Sequence, residues 1–225
     1  GRLQYNFQEK YLFNATFRAD GSSNFAQGHR WGYFPSVSAG WIASRESFMQ
    51  TIKGLDFFKL RASWGQVGNQ NIPGGKYLSL IKFDQAAYDF GPGEGPTVNV
   101  QGARPDETIG NPNIKWETSE QTNVGFDATV IKKLNVSFDY YIKTTKDWLI
   151  KIPVLATTGA TSMYINGGDV KNTGVELALN YHNTIGKFFN YSIGANGSYN
   201  KNKIGNIPTK DHIIHGATNV IYANA

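Results

Sequence analysis

The stretch VGFDATVIKKLNVSFDYYI, residues 124–142, decides the fold of this chain. On each side of Lys132 and Lys133 every second residue is apolar, and the residues between are mostly polar or glycine. A period of two predicts β-strands whose successive side chains point to opposite faces. Because only a short turn separates the two alternating runs, the stretch predicts an antiparallel hairpin.

The same alternation recurs on both sides of this hairpin, and helical periodicity is nearly missing. The alternating runs predict about eight strands, at residues 3–7, 11–19, 33–43, 57–67, 123–130, 135–143, 175–182 and 191–199. Residues 44–55 are predicted to hold one short helical turn. The extra alternating run at 77–83 is predicted to belong to a hairpin inside a loop. The fold class is therefore all-β and antiparallel.

The connections between the predicted strands differ in length according to the end of the sheet at which they lie. Short connections at 8–10, 44–55, 132–133 and 184–187 all fall at one end. Long connections at 20–32, 68–114 and 151–173, with the tail after 201, fall at the other. Short turns on one side and long loops on the other are typical of outer-membrane β-barrels.

Composition narrows the class of protein further. No run of about 18 apolar residues is present, which excludes a helical membrane span. With 14% aromatic residues the chain can bury enough surface to fold, so disorder is not expected. The absence of cysteine excludes disulfides, a thiolate zinc site and a cysteine nucleophile. The net charge of +5 is scattered along the chain, which gives no support to nucleic-acid binding.

Alternation alone fits both a membrane barrel and a soluble sandwich, but three features favour the barrel. The predicted strands reach about 10 or more residues, against about 5 to 6 in soluble sheets. Aromatic residues recur near strand ends, as in an interfacial girdle. The faces opposite the apolar residues are rich in Gly, Ser, Asn and charge, which would be costly in a dry core. We therefore expect the apolar faces to contact lipid and the opposite faces to contact water.

Several ordered motifs match one known family. They are DGSSNF at 20–25, WGYFPSVS at 31–38, GW at 40–41, KLRASWGQVGNQ at 59–70, NPNIKWET at 111–118, QTNVG at 121–125, DYY at 139–141 and NTGVEL at 172–177. In this order they resemble the carboxyl-half barrel of SusC/RagA-like TonB-dependent outer-membrane transporters. The resemblance spans residues 11–203.

The resemblance implies a barrel of about 22 strands with an amino-terminal plug. Transporters of this family import oligosaccharides or peptides across the outer membrane, with a SusD-like surface lipoprotein as a lid and TonB acting on the plug. Neither a plug nor a TonB box is recognisable in this chain. We therefore expect residues 1–225 to be a segment of about eight strands within one barrel domain, amounting to about a third of a full barrel.

Seven charged residues fall on the predicted inward faces and are candidates to line the lumen. They are Arg18, Lys59, Arg61, Asp127, Asp139, Lys143 and Glu176. Mutual ion pairing in a hydrated wall is the first interpretation, and direct substrate contact is the second. In the longest loop, Tyr88 and Phe90 are candidates to stack on a sugar or to meet the lid, with packing inside the loop as the alternative.

No enzymatic, metal or cofactor site is predicted. A Ser/His/Asp arrangement cannot be defined, and His212 and His215 do not lie on a recognisable helix. The acidic residues of the longest loop lack the regular spacing of a calcium loop. Residues 91–96, GPGEGP, lack the strand-to-helix context of a phosphate loop.

Two other functions remain open from sequence. One is a complete eight-stranded outer-membrane barrel acting as an adhesin or structural protein, because about eight strands can close on themselves. The other is a soluble carbohydrate-binding β-sandwich, which the aromatic residues would suit. The distinguishing structural feature is the apolar face: stacking of apolar faces against each other would contradict the transporter.

Overall fold

The computed structural model describes residues 1–90, 98–205, 207, 214–215 and 221–222. Side chains are described for these residues except 84–90, 98–101, 156, 214–215 and 221–222. Within this part of the chain there are 15 strands: β1 (Arg2–Phe7), β2 (Tyr11–Gly21), β3 (Trp31–Trp41), β4 (Leu55–Asn69), β5 (Ile81–Phe90), β6 (Val98–Pro105), β7 (Thr108–Ile109), β8 (Glu117–Val130), β9 (Leu134–Lys146), β10 (Leu149–Pro153), β11 (Ser162–Asn166), β12 (Val170–Ile185), β13 (Phe189–Ile204), β14 (Ile214–His215) and β15 (Ile221–Tyr222).

Eight of these strands form one antiparallel sheet in the order β1-β2-β3-β4-β8-β9-β12-β13. This confirms the predicted number of strands and their direction. Within the described residues, β1 and β13 each pair with one neighbour and not with each other, so the sheet is open. A complete eight-stranded barrel is therefore wrong for this chain, because a closed barrel would hydrogen-bond its first strand to its last.

The connections confirm the predicted asymmetry between the two ends of the sheet. Turns at residues 8–10, 42–54, 131–133 and 186–188 lie at one end, which we call the short-turn end. Connections at 22–30, 70–116 and 147–169 lie at the other, which we call the long-loop end. The predicted helical turn is a single 3₁₀ turn at Ala43–Arg45. In the described part of the chain, no helix is both long enough and apolar enough to cross a bilayer.

Strand register gives the sheet two different faces. Asn14, Ser38, Ser63 and Asn123 are aligned in neighbouring strands and define the polar face. The alternate positions define the apolar face, whose large side chains are exposed: Leu3 61%, Phe17 50%, Tyr33 59%, Val124 51% and Ile193 64%. Because these side chains are uncovered, the apolar residues are not stacked between two sheets. The soluble sandwich is therefore also wrong.

A small hydrophobic core lies in the long loops and not in the sheet. Phe25 and Ile114 are fully buried, and Ile72 is 8% exposed beside them. Partly buried side chains pack around these three: Tyr77, Trp116, Leu149 and Tyr164. We call these seven residues the loop core. Beside the main sheet, the described residues form three small sheets: β10-β11-β7, β14-β15 and the hairpin β5-β6. A hairpin is present in the longest loop, as predicted, but its first strand begins at Ile81, so only residues 81–83 of the alternating run 77–83 belong to it.

Candidate functional site on the polar face

All seven candidate charges lie on the polar face of the main sheet. They are Arg18, Lys59, Arg61, Asp127, Asp139, Lys143 and Glu176. At the centre of this set, Arg61 is paired across strands with Gly125, and Gly125 is paired with Asp139. Asp139 is paired in turn with Glu176. Since directly opposite residues share a face, four neighbouring strands present their charges to the same side.

One guanidinium organises the centre of this face. Arg61 Nη2 donates to Asp139 Oδ2 at 2.7 Å and to Ser137 Oγ at 3.0 Å. Arg61 Nε lies 3.1 Å from Asp127 Oδ2. Ser137 Oγ donates to Asp127 Oδ1 at 2.9 Å, which closes the network. One positive and two negative charges are thus held together across β4, β8 and β9, and charge-assisted hydrogen bonds of this kind are the stronger class.

A glycine makes this network possible. A Cβ placed on Gly125 would lie 2.6 Å from Asp139 Oδ1 and 2.4 Å from the carbonyl oxygen of Phe138. Any side chain at this position would therefore displace the carboxylate that Arg61 binds. Gly125 is the last residue of the QTNVG motif, so the motif pointed to this position in the sequence. The spacing of residues alone did not show that Gly125 lies beside Arg61.

The other four candidates have different surroundings. Arg18 Nη2 pairs with Asp20 Oδ2 at 3.0 Å on an exposed part of β2. For Lys59, Lys143 and Glu176, the described part of the chain contains no ion pair within 4.0 Å. Mutual ion pairing therefore accounts for Arg61, Asp127 and Asp139, and leaves three charges of the polar face open to a partner from elsewhere.

Two open grooves flank the Arg61 network. The first has a volume of about 550 Å³ and includes Lys59, Arg61 and Asn123 in its lining. The second, of about 870 Å³, includes Asp127 and Asn135. Both carry hydroxyl and amide side chains, which offer hydrogen bonds to sugars or peptides. Among the residues described, no group of three or more His, Cys, Asp or Glu side chains could hold a metal ion.

One acidic residue of the longest loop, Asp106, is paired with lysines. Lys82 Nζ lies 2.9 Å from Asp106 Oδ1, and Lys76 Nζ lies 3.8 Å from Asp106 Oδ2. The hydrogen bond from Lys82, followed by one from the backbone N–H of Glu107, lowers the pKa of Asp106 below its ordinary value. This carboxylate is therefore committed to internal pairing and is a poor ligand for calcium.

Tyr88 and Phe90 lie in the loop hairpin. The backbone of Tyr88 pairs with Val100, and that of Phe90 pairs with Val98. Their side chains lie outside the described part of the chain, as do His212 and the loop residues 91–97. The suggested contacts of Tyr88 and Phe90 with a sugar or a lid stay predictions.

The ordered motifs supply residues that sequence reasoning did not connect. Phe25, from DGSSNF, packs on Trp116 of NPNIKWET with ring centroids 5.5 Å apart. Trp116 also meets Phe34 of WGYFPSVS at 5.4 Å, and its indole N–H donates to the carbonyl oxygen of Arg30 at 3.0 Å. Two motifs that are far apart in sequence, DGSSNF and NPNIKWET, therefore meet in the loop core at the long-loop end, and Phe34 packs on Trp116 beside it.

Long antiparallel strands, an exposed apolar face and a polar face lined with charge define a segment of a transmembrane β-barrel. Strands of 11 to 16 residues from β2 to β13 in the main sheet are long enough to span a bilayer when tilted, since spanning takes about 9 to 11 residues.

Comparisons with known proteins agree with this class. A family model described as "TonB dependent receptor-like, beta-barrel" matches residues 1–217. SusC of Bacteroides thetaiotaomicron, a TonB-dependent receptor, is 35% identical over 210 residues, covering 91% of this chain and 20% of SusC. A TonB-dependent receptor of Formosa agariphila is 35% identical over 214 residues, covering 95% of this chain and 21% of that protein.

Solved structures give the same result. The RagAB peptide importer in its open-open state matches with a TM-score of 0.79 and 29% identity, covering 93% of this chain and 22% of that chain. The siderophore receptor PirA of Pseudomonas aeruginosa matches with a TM-score of 0.51 and 15% identity, which shows the fold alone. The chain belongs to the TonB-dependent receptor-like β-barrel family and is an outer-membrane protein. The predicted SusC/RagA resemblance is confirmed, and the chain spans about a fifth of the length of the curated relatives it matches.

Proposed function

We propose that this chain forms part of the barrel wall of a TonB-dependent importer that takes up oligosaccharides or peptides, and that it has no enzymatic activity. The observation that carries the proposal is the open, two-faced sheet, apolar and uncovered on one side and polar on the other. Resemblance to SusC and RagA supports both substrate classes. RagAB is a peptide importer, and its similarity to this chain supports the peptide class in particular.

The whole chain, residues 1–225, belongs in this proposal to a single barrel domain. Within the described residues β1 and β13 each leave one edge unpaired, and these edges would hydrogen-bond to further strands of the same barrel, since exposed edges are otherwise sites of aggregation. The plug and the TonB box would lie in a part of the longer protein outside this chain. The small fraction of each relative that the chain covers supports this arrangement.

In the same proposal, the polar face lines the lumen and the apolar face contacts lipid. The Arg61 network holds three strands together inside the hydrated lumen, where unpaired carboxylates would repel each other. Lys59, Lys143 and Glu176 have no ion-pair partner in the described part of the chain. They are therefore the charges available to the plug or to a passing substrate.

The long-loop end faces the exterior and meets a SusD-like surface lipoprotein. The loop core supports this assignment because it gives the loops a packed and defined shape, as a docking surface requires. We place Tyr88 and Phe90 at this end as contacts for the substrate or the lipoprotein. Replacing either with alanine in the complete protein should raise the substrate concentration needed for half-maximal uptake, and unchanged uptake would remove these two residues from the site.

Growth on defined nutrients tests the proposed import. The gene for the complete protein is deleted, and the strain is grown with a mixture of oligosaccharides as sole carbon source or a mixture of peptides as sole nitrogen source. We expect growth to fail on one of the two. The wild-type gene should restore it, and a version lacking the TonB box should not. Normal growth of the deletion strain on both mixtures would contradict the proposal.

Cysteine labelling tests the assignment of the two faces. Since the chain contains no cysteine, Asn123→Cys and Val124→Cys make a matched pair of neighbours on opposite faces. In intact outer membranes, a charged maleimide should label Asn123→Cys and should spare Val124→Cys until detergent is added. The reverse pattern would place lipid on the polar face and overturn the assignment.

A further inference from the structure

Three lysines stand together on the apolar face at the long-loop end. Lys171 of β12 lies directly opposite Lys203 of β13, and Lys201 lies opposite Thr173. All three share the face of Val175 and Tyr199, the paired residues next along the two strands. Each lysine is exposed. We call Lys171, Lys201 and Lys203 the lysine rim.

The lysine rim is not neutralised within the described part of the chain. None of its three ammonium groups takes part in a salt bridge there, whereas Lys146, on the same face of β9, pairs with Glu120 at 3.2 Å. Like charges directly opposite each other destabilise a sheet. A negatively charged partner would offset the repulsion between Lys171 and Lys203. The carboxylates among the described residues do not provide one.

Strand geometry places the lysine rim at the upper border of the apolar belt. On β13, the apolar-face positions between Phe189 and Tyr199 include Tyr191 and Ile193 and carry no charge. Ten residues at about 3.4 Å each give about 34 Å along the strand. At a tilt of about 45° this is about 24 Å of height, close to the apolar band of about 25 Å in outer-membrane barrels. Lys201, the next residue on this face, then lies at headgroup level.

The end of the sheet decides which leaflet this is. Long loops of outer-membrane barrels face the exterior and short turns face the periplasm. The lysine rim lies at the long-loop end of β12 and β13, so it borders the outer leaflet. At the same border on the other half of the sheet, the apolar face carries Phe17, Tyr33 and Trp31, which are 50%, 59% and 62% exposed and bear no charge. The positive charge is thus local to one side of the wall.

We propose that the lysine rim binds the phosphate groups of an anionic outer-leaflet lipid. Lysine binds phosphate as a compact point charge, and its alkyl stem lies along apolar surface while the ammonium group reaches the headgroups. Three such charges beside Tyr199 match a phosphorylated headgroup whose acyl chains cover the belt below. The proposal rests on the lipid-facing assignment made above, which the cysteine pair tests independently.

Lipid retention by the complete protein tests the lysine rim. The protein is purified in mild detergent and titrated with bis-phosphorylated lipid A, with its dephosphorylated form or with inorganic phosphate, and bound lipid is counted by native mass spectrometry. We compare wild type with K171Q/K201Q/K203Q. The matched control is K132Q/K133Q/K187Q, which removes the same charge from the short-turn end.

We expect wild type and the control to bind bis-phosphorylated lipid A equally. The lysine-rim variant should bind it at least about tenfold more weakly, because each lysine near a charged headgroup contributes appreciably, and its affinity should match that of wild type for the dephosphorylated lipid. Equal binding by all three proteins would overturn the proposal. Binding of inorganic phosphate as tightly as bis-phosphorylated lipid A would also overturn it, because the lysines would then select a free ion and not a lipid.

A third result would overturn the proposal in favour of protein partners. If the lysine-rim variant unfolds at lower temperature but retains lipid A normally, the lysines pair with carboxylates of barrel strands outside this chain. None of these outcomes affects nutrient uptake through the lumen, so failure here leaves the proposed importer intact. Reversed labelling at Asn123→Cys and Val124→Cys would instead remove both proposals.

Discussion

The two ends of the sheet hold their connections together by different means. At the long-loop end, three loops share a hydrophobic core in which Phe25 and Ile114 are completely buried. At the short-turn end, the turns are joined by polar contacts, with Lys10 Nζ 3.0 Å from Glu46 Oε2. Large apolar side chains there stay exposed, including Phe188 at 94%. One end therefore carries its own core, and the other depends on electrostatics and on its surroundings.

This difference follows from the length of the connections. A turn of three residues has no side chains to spare for a core, so hydrogen bonding and backbone geometry must fix it. Loops as long as residues 70–116 lose much more conformational entropy when ordered, and burial of apolar surface offsets that loss. The exposed apolar residues of the short-turn end suit a membrane boundary, whereas the buried ones of the long-loop end suit water on all sides.

Truncating the loop core should give the largest effect. Ile114→Ala removes a side chain with no exposed surface, and such changes cost about 2 to 5 kcal/mol because a cavity remains. Hydrogen exchange in residues 22–30 and 70–80 of the complete protein should accelerate accordingly. The matched control is Ile52→Ala at the short-turn end, where the side chain is 47% exposed and the expected change is within about 0.5 kcal/mol. Equal effects at the two sites would erase the contrast between the ends.

A second test concerns the polar ties among the loops. Asn166 Nδ2 donates to the carbonyl oxygens of Lys115 and Asp147 at 2.8 and 2.9 Å, and its Oδ1 accepts from the N–H of Lys115 at 2.8 Å. Asn166→Ala should therefore cost about 1 to 3 kcal/mol, since each net hydrogen bond contributes about 1 kcal/mol. Faster proteolysis between β9 and β12 would report the loss.

The control for Asn166 lies at the short-turn end. Asn190 accepts one exposed hydrogen bond, from Thr184 Oγ1 at 2.6 Å. Asn190→Ala should change stability by less than about 1 kcal/mol. If it proved as damaging as Asn166→Ala, polar side chains would matter equally at both ends, and the loops would not be the more specifically built region.

The strands of the sheet could be predicted from sequence because the alternation of apolar and polar residues lies within each strand itself. Alternation between Tyr11 and Ala19 predicted a strand that the structure extends to Gly21. The run at 33–43 is the strand Trp31–Trp41, shifted by two residues. A period of two arises from local backbone geometry together with one buried or lipid-covered face. The antiparallel direction of neighbouring strands, and the assignment of each connection to the short-turn or the long-loop end, then followed from the lengths of the connections.

The contacts within the site could not be predicted in the same way. Arg61 and Asp139 were both assigned to the polar face, but their pairing needs the register of three strands and the missing side chain at Gly125. Phe25 meets Trp116 from a distant part of the sequence, and no periodicity reports such a contact. The motifs marked these residues as a set without showing that they build a loop core.

Backbone geometry provides a prediction specific to the short-turn end. Lys132 has a φ of +52°, a left-handed conformation that favours glycine, whereas its neighbour Lys133 does not. Lys132→Gly should raise stability by about 0.5 to 1 kcal/mol by relieving this strain. Lys133→Gly should not raise it. The thermal midpoint of the complete protein in detergent measures both, and a gain at Lys133 with none at Lys132 would contradict the assignment of strain.

The smallest expected effect is a loss of stability in acid, which we expect for a contact of the short-turn end and not for the loop core. Hydrogen bonds from the hydroxyl of Tyr11 and then from Lys10 lower the pKa of Glu46 below its ordinary value. A carboxylate whose folded-state pKa is lowered stabilises the fold above the unfolded pKa of about 4.3, and this contribution disappears as the pH falls through the folded pKa.

Glu46→Gln should therefore lower the thermal midpoint slightly at about pH 7, and the gap to wild type should close as the pH falls below about 4. The effect is small because solvent-accessible ion pairs contribute little. Ile114→Ala, which removes no titratable group, should keep the same gap at both pH values. The contrary result would be a difference from wild type that disappears in acid for Ile114→Ala and persists for Glu46→Gln. The loops would then depend on ionisation and the turns would not, which is the opposite of what the contacts at each end predict.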